Sequence, residues 1–236
     1  MKTSENLIIN GSGSYPGGHY DKISIRGEGT IVNDVDCGAF HVYGTSEAVE
    51  NMKTGSVKVF GEAEVQLDME AEDTLVMGTM MIGGNALLKK IKVFGLLEVG
   101  GRLTGDVANI KGSISVNGDV EYETFDSSGG FEIKGLLTAE TIKVGLRFGT
   151  SLAEEIGGGK ITVKKRGNSL LPFGKEVGSL SAKVIEGDEV YLENTKADIV
   201  RGNKVKIGPG CQIGMVEYRD DFSYDPKATV KTTTKI

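Results

Sequence analysis

The sequence predicts an all-β fold, a three-sided β-helix with about 17 residues in each coil. Two features of the composition favour short strands joined by tight turns, since 35 of the 236 residues are glycine and only 4 are proline. A helical bundle is disfavoured, because glycine destabilises a helix interior by roughly 1 kcal/mol per residue. The third observation is a repeat, in which seven glycines follow one another at steps of 17 residues. These are Gly27, Gly44, Gly61, Gly78, Gly95, Gly112 and Gly129.

Six apolar columns share this period and give each coil three strands. Positions are counted from the residue after each of these glycines. Apolar side chains dominate positions 2 and 4, 8 and 10, and 13 and 15, so the members of each pair are two positions apart, as in a β-strand. We expect these side chains to point inward and to stack on those of the neighbouring coils. In the coil after Gly61 they are Ala63, Val65, Met69, Ala71, Thr74 and Val76.

The glycines are expected at the corners between strands. A second series, Gly84, Gly101, Gly118 and Gly135, has the same step of 17. A corner favours glycine because this residue adopts positive φ easily and has no Cβ to meet the next coil.

The repeat is weaker before Gly27 and after Val144, which divides the chain into five predicted segments. Lys164, Lys165 and Arg166 begin a stretch with one of the few prolines, and this composition is typical of a loop. The segments are a short amino-terminal segment (1–10), the main rod (11–163), a loop excursion (164–180), further β-helix coils (181–218) and a carboxy-terminal tail (219–236).

Charge and composition argue against a nucleic-acid partner, a membrane span and a signal peptide. A net charge of −6 disfavours nucleic acid. No window approaches the 18 or so apolar residues of a membrane span, and residues 1–10 are too short and too polar for a signal peptide. Cys37 and Cys211 lie far apart and predict reduced thiols, which is typical of a cytoplasmic protein.

No catalytic residue, cofactor site, metal site or small-molecule substrate is expected. The two histidines, His19 and His41, lack a predicted orienting partner, and the zinc of a β-helical carbonic anhydrase needs three histidine ligands. Glycine pairs such as Gly83-Gly84 lie outside any GxxxxGK[ST] pattern. Cys37 falls in an inward column, which predicts a small buried side chain rather than a reactive thiol.

One outward column is apolar. Position 16 carries Tyr43, Phe60, Met77 and Phe94 in four successive coils. Such a stripe would be about 15 Å long and indicates a lateral contact with a partner or a membrane. Two alternatives stay open: position 16 is a corner where the inward–outward alternation fails, or the excursion covers the stripe with Leu170, Leu171 and Phe173.

The two ends of the β-helix are candidate interfaces. A solenoid ends in strand edges whose N–H and C=O groups lack partners, and soluble solenoids normally carry polar caps. We identify no capping helix, so end-to-end association of copies is expected. The candidate end residues are Leu7, Ile9, Tyr218 and Phe222.

Repeated [IV]-x-[IV]-x-G blocks give the chain its resemblance to a known family. ISIRG (23–27), VKVFG (57–61), IKVFG (91–95) and ISVNG (114–118), with the G-D-V corners LTGDV (103–107) and VNGDV (116–120), resemble the bactofilins, the polymer-forming cytoskeletal proteins. The resemblance is clear over residues 7–163, and EGDEVYLENTKADIVRG (186–202) fits a subgroup of larger chains.

The resemblance implies a right-handed, three-sided β-helix. It also implies bacterial filaments that assemble without nucleotide or cofactor and support cell shape, envelope growth or motility structures. The implied partners are further copies of the chain, a paralogous bactofilin, protein clients or the membrane periphery. The implied location is the cytoplasm, including the inner face of the cell membrane.

Two other functions remain open at this point. The chain could be a β-helical enzyme of acyltransferase or carbohydrate-active type, which would need carboxylates or histidines converging in a cleft. It could also be a monomeric adaptor that binds a partner through the stripe or through Lys164, Lys165 and Arg166.

Overall fold

A computed structural model describes residues 5–147, 149–166 and 178–236. Every regular element in these ranges is a β-strand, and the strands pair in parallel. They stack as a β-solenoid of about 13 turns with about 17 residues per turn, which confirms the predicted fold class. The chain forms two compact units, Met1–Gly118 and Asp119–Ile236.

The first unit contains fifteen strands. They are β1 (Asn6–Ile9), β2 (Ser12–Tyr15), β3 (Gly18–Ile25), β4 (Glu28–Ile31), β5 (Val35–Val42), β6 (Thr45–Ala48), β7 (Met52–Val59), β8 (Glu62–Val65), β9 (Met69–Val76), β10 (Thr79–Ile82), β11 (Ala86–Val93), β12 (Leu96–Val99), β13 (Leu103–Thr104), β14 (Val107–Ile110) and β15 (Ser113–Val116).

Each coil of this unit has three sides because its longer strand turns a corner. In β9 the alternation of buried and exposed residues breaks at Glu72 and Asp73, which are both exposed. Two straight runs therefore lie within one eight-residue strand, and the four-residue strand β8 supplies the remaining side. All predicted inward positions from 28 to 144 are buried except Gly105, which is half-buried.

The corner glycines of this unit are required by the close approach of neighbouring coils. A Cβ built on any glycine of the first series from Gly27 to Gly112 would lie 1.9–2.2 Å from the carbonyl oxygen of the preceding glycine. No side chain can be accommodated at that distance. The expected clearance is thus confirmed, but the expected positive φ is wrong at these corners, since the glycines with positive φ among the described residues are Gly18, Gly149 and Gly210.

The described residues of the second unit form seven strands, and its coils vary in length. Paired core residues are 19 positions apart between Leu137 and Ile156, 29 apart between Ile156 and Ile185, and 15 apart between Ile185 and Val200. The strands are β16 (Val120–Ser127), β17 (Gly130–Leu146), β18 (Thr150–Lys165), β19 (Ser179–Leu192), β20 (Thr195–Ile207), β21 (Gln212–Tyr224) and β22 (Thr229–Lys235).

The structure places several segment boundaries differently from the sequence prediction. The amino-terminal segment 1–10 already contains β1, which pairs with β3. The predicted carboxy-terminal tail 219–236 contains strands, because β21 continues to Tyr224 and β22 pairs with β21. Most of the predicted excursion 164–180, including Leu170, Leu171 and Phe173, lies outside the described residues.

Candidate functional site

Four side chains form an exposed apolar row on the first unit. Tyr43, Phe60, Met77 and Phe94 have exposed fractions of 51%, 46%, 46% and 44%. The rings of Tyr43 and Phe60 stack with centroids 5.1 Å apart and planes 2° apart. The ammonium of Lys111, one coil further on, lies 5.1 Å from the centroid of Phe94. Position 16 is therefore an outward position, and the row is exposed in the part of the chain that the structure describes.

The row is held by backbone pairing at the corner. The N–H of Phe60 donates to the carbonyl of Val42 at 2.8 Å, and the N–H of Met77 donates to that of Val59 at 2.8 Å. Each residue of the row is followed in sequence by a corner glycine, which has no side chain and lets the coils approach closely. The spacing of the row is thus set by the solenoid, at about 4.8 Å per coil.

The amino-terminal coil presents one candidate end. Leu7 is half-buried, whereas Ile9 has no exposed surface and belongs to the core. The side chain between them, Ile8, points outward and is 59% exposed. β1 pairs with β3 along one edge, and its other edge has no strand partner within the described residues.

The carboxy-terminal coil of the second unit presents the other candidate end. Tyr218, Phe222 and Tyr224 stack in sequence, with centroid distances of 5.3 Å and 5.7 Å. Phe222 pairs in register with core residue Val205, and Tyr224 pairs with core residue Ile207. Two core columns therefore end in aromatic rings, and Tyr224 is 57% exposed.

The edge strand β22 covers only part of this end. It pairs with residues 212–218 of β21, so its register stops short of Phe222 and Tyr224. The core column that runs through Val200 and Val216 ends at Thr233, which is exposed. Polar side chains thus finish one side of the last coil, and aromatic rings finish another.

An Asp–Asn ladder runs along another corner of the first unit. The backbone N–H and side-chain amide of Asn51 donate to Asp34 Oδ1 at 3.0 Å and 3.1 Å. The N–H of Asp68 donates to Asn51 Oδ1 at 3.2 Å, and the N–H of Asn85 donates to Asp68 Oδ1 at 2.6 Å. The N–H of Arg102 completes the series on Asn85 Oδ1 at 3.0 Å. Carboxylates and amides alternate, so no two carboxylates are adjacent in the ladder.

An open groove of about 610 Å³ borders this ladder. Polar side chains in this groove are already paired, because Lys53 Nζ lies 2.9 Å from Glu70 Oε2 and His19 Nδ1 lies 3.1 Å from Asp36 Oδ2. The ladder was not predicted from the sequence. Its signal was the Asp/Asn alternation at position 7, at the same step of 17 residues.

A second groove, of about 530 Å³, follows a glycine column of the second unit. Gly158, Gly187 and Gly202 pair in register, and a Cβ on Gly187 would lie 2.6 Å from the carbonyl oxygen of Gly158. Arg201 is ion-paired there with Glu217 and lies 3.6 Å from Glu186. The glycines are thus explained by backbone packing, and the guanidinium is neutralised by its neighbours.

The predicted basic residues lie at the end of a strand. Lys164 and Lys165 are the last residues of β18, and the Lys164 ammonium lies 5.5 Å from the ring centroid of Tyr191. The N–H of Lys165 donates to Glu193 Oε2 at 2.7 Å. The N–H of Arg166 donates to the carbonyl of Leu146 at 2.9 Å.

Cys37 is buried as the sequence predicted, whereas His19 has a carboxylate partner, Asp36, that the sequence did not predict. His41 is separate from His19, and burial together with the charges of Lys22 and Lys58 lowers its pKa. Cys37 is buried beside Thr54, and burial is the main cause that raises the pKa of its thiol. Burial likewise raises the pKa of Cys211.

Two kinds of feature are absent from the described residues. Among them, no group of three or more His, Cys, Asp or Glu side chains could hold a metal ion. The described residues include no helix with the length and apolar character that a membrane span requires.

Comparison with known proteins identifies two relatives in Bacillus subtilis (strain 168). No family model and no solved structure matches the chain. Uncharacterized protein YhbF is 50% identical over 101 residues, a stretch that covers 43% of this chain and less than half, 42%, of YhbF. Uncharacterized protein YhbE is 60% identical over 238 aligned residues, covering 100% of both chains. The chain therefore belongs to the family of YhbE.

Proposed function

We propose that this protein is a non-enzymatic, bactofilin-like scaffold subunit that assembles end to end into filaments without nucleotide or cofactor. The observation that carries the proposal is the unfinished state of both terminal coils. β1 and β22 each pair along one edge in the described structure, and the other edge offers unpaired N–H and C=O groups to another strand.

Apolar side chains accompany these edges. Ile8 is 59% exposed at the amino-terminal coil, and Tyr224 is 57% exposed beside Phe222 at the carboxy-terminal coil. Contact between copies would bury both groups and would continue the core columns that end at Phe222 and Tyr224. The end candidates Tyr218 and Phe222 support this contact directly, Leu7 does so through its half-exposed side chain, and Ile9 lies too deep to touch another copy.

The regular repeat of the coils supports the same function. Identical faces stacked at a fixed period can be extended by another copy with the same spacing, which is how solenoids propagate. A filament of this kind would act in the cytoplasm or at the inner face of the membrane. It would associate with itself or with a paralogue, and it would serve cell shape, envelope or motility structures.

Electron microscopy of the purified chain without nucleotide tests the proposal. We expect filaments from the unmodified chain and short, soluble species from Ile8→Glu and Tyr224→Glu, because each buried carboxylate would lack a partner. Leu67→Glu is the matched control, since Leu67 is 47% exposed on a middle coil, and it should still give filaments. Discrete monomers of the unmodified chain at high concentration, or normal filaments from both end variants, would overturn the proposal.

A further inference from the structure

Charge is distributed unequally on the two sides of the apolar row. Positions 12 and 14, on the side that precedes the row along the chain, carry lysine as their main charged residue, and we call them the basic face. Positions 1 and 3, beyond the corner glycine, carry glutamate as their charged residue, and we call them the acidic face. The basic face carries Lys22, Lys58, Lys90 and Lys92 with one carboxylate, Asp73, and the acidic face carries Glu28, Glu47, Glu62, Glu64 and Glu98.

The row itself also ends in cations. Arg26 and Lys111 occupy position 16 in the coils before Tyr43 and after Phe94, and both are exposed. The pKa of His41, at position 14, is lowered first by burial and then by the charges of Lys22 and Lys58. An apolar row thus separates two faces of opposite sign within one unit.

We propose that two copies of the chain pair side by side through the apolar row, about a two-fold axis parallel to the coil axis of the first unit. This operation sets each row against its own counterpart. It also places the basic face of each copy beside the acidic face of the other, on both sides of the contact. A two-fold axis perpendicular to the coils would instead place basic beside basic and acidic beside acidic.

The size of the contact sets its strength. With side chains that each offer about 200 Å² of surface and are roughly half exposed, the row can bury about 400 Å² on each copy. The total of about 800 Å² is below the roughly 1,200 Å² of a stable interface. The pair is therefore weak between single copies and becomes significant where many copies are linked.

This pairing deepens the proposed function and rests on it for its strength, but it uses residues outside the terminal strands β1 and β22. The test is therefore made both in the unmodified chain and with Tyr224→Glu, which blocks end contacts. Filaments without lateral pairs would reject the inference alone, whereas lateral pairs without filaments would reject only the proposed function.

Oxidative cross-linking of single cysteine variants tests the axis. Cys37 and Cys211 are buried and contribute no surface thiol. Tyr43→Cys and Phe94→Cys lie at opposite ends of the row, about 15 Å apart. We expect the cysteine of Tyr43→Cys to cross-link with the same cysteine of a second copy, and likewise for Phe94→Cys. The control Leu67→Cys should give no cross-linked dimer, and high salt should abolish the dimers of the other two variants. Cross-links formed only between Tyr43→Cys and Phe94→Cys would show an antiparallel pair and overturn the proposal.

Charge reversal and lipid binding complete the test. Lys58→Glu with Lys92→Glu should abolish the cross-link, and adding Glu64→Lys with Glu98→Lys should restore it, because complementarity returns with opposite sign. Failure of this rescue would overturn the proposed arrangement. Sedimentation with phosphatidylglycerol vesicles that depends on Phe60 and Phe94, without any cross-link, would identify lipid as the occupant and overturn the pairing.

Discussion

A Cβ atom on Gly61 would lie 2.0 Å from the carbonyl oxygen of Gly44, the residue in register with it in the preceding coil. The contact is with backbone, so no side-chain rotation can relieve it. The spacing between the two coils therefore requires glycine at this corner, because it leaves no room for a side chain.

Gly61→Ala should therefore destabilise the first unit. The two coils must move apart, which lengthens the adjoining backbone hydrogen bonds and costs roughly 1–3 kcal/mol or more. Gly11→Ala is the matched control, because nothing lies within 4 Å of its added Cβ, and its effect should stay within about 0.5 kcal/mol. Urea unfolding of both variants gives the comparison, and equal midpoints would contradict the prediction.

Thr74→Val should stabilise the protein. The hydroxyl of Thr74 is buried without a hydrogen-bond partner in the described structure. Valine has the same shape and matches Val57, its register partner in the adjacent coil. Removing the unpaired hydroxyl should raise the free energy of unfolding by about 1 kcal/mol.

Thr54→Val provides the opposite case. The hydroxyl of Thr54 donates to the carbonyl of Ser56 at 3.2 Å and accepts from the Cys37 thiol at 3.4 Å. Its removal should lower the free energy of unfolding by about 1 kcal/mol. If both threonine variants shift thermal unfolding in the same direction, hydrogen bonding does not decide these positions.

The sequence predicted the core of the first unit well because the period there is constant. Thr74 could be assigned inward from its column alone, although it is polar. In the second unit, steps of 19, 29 and 15 residues between paired core positions defeat any count at a fixed period.

β22 escaped prediction for a different reason. Its sequence, TVKTTTK, contains one aliphatic residue, so it lacks the apolar alternation of a buried strand. Backbone pairing with β21 holds it in place. The sequence predicted the apolar row as an outward column but left its exposure open, because a corner position can point either way until the corner geometry is known.

Asn51→Asp should destabilise the first unit in a salt-dependent way. It would remove the amide that donates to Asp34 and would place three carboxylates in successive coils, about 4.8 Å apart. The expected loss is roughly 1–2 kcal/mol at low salt, and the repulsive part should shrink as salt is added.

Asn51→Ala isolates the hydrogen bonds from the charge. It removes the donor to Asp34 and the acceptor for Asp68 without adding a carboxylate. Its destabilisation should be nearly independent of salt. A salt response as large as that of Asn51→Asp would show that carboxylate repulsion is not the cause.

Tyr191 should make stability depend on alkaline pH. Its hydroxyl donates to Glu193 Oε1, and this bond, aided by burial and by the charge of Glu193, raises the pKa of Tyr191 to about 12. A pKa above the unfolded value of about 10 stabilises the fold at lower pH, and that contribution is lost as pH rises from about 10 to about 12.

Glu193→Gln should return the Tyr191 pKa toward about 10. Ultraviolet titration can follow this change when the signal of Tyr191→Phe is subtracted from the signal of all 7 tyrosines. Since Tyr191 is only half-buried, solvent screening keeps the stability change small and makes the titration the sharper measurement. An unchanged titration midpoint of Tyr191 in Glu193→Gln would show that the hydrogen bond to Glu193 does not raise the Tyr191 pKa.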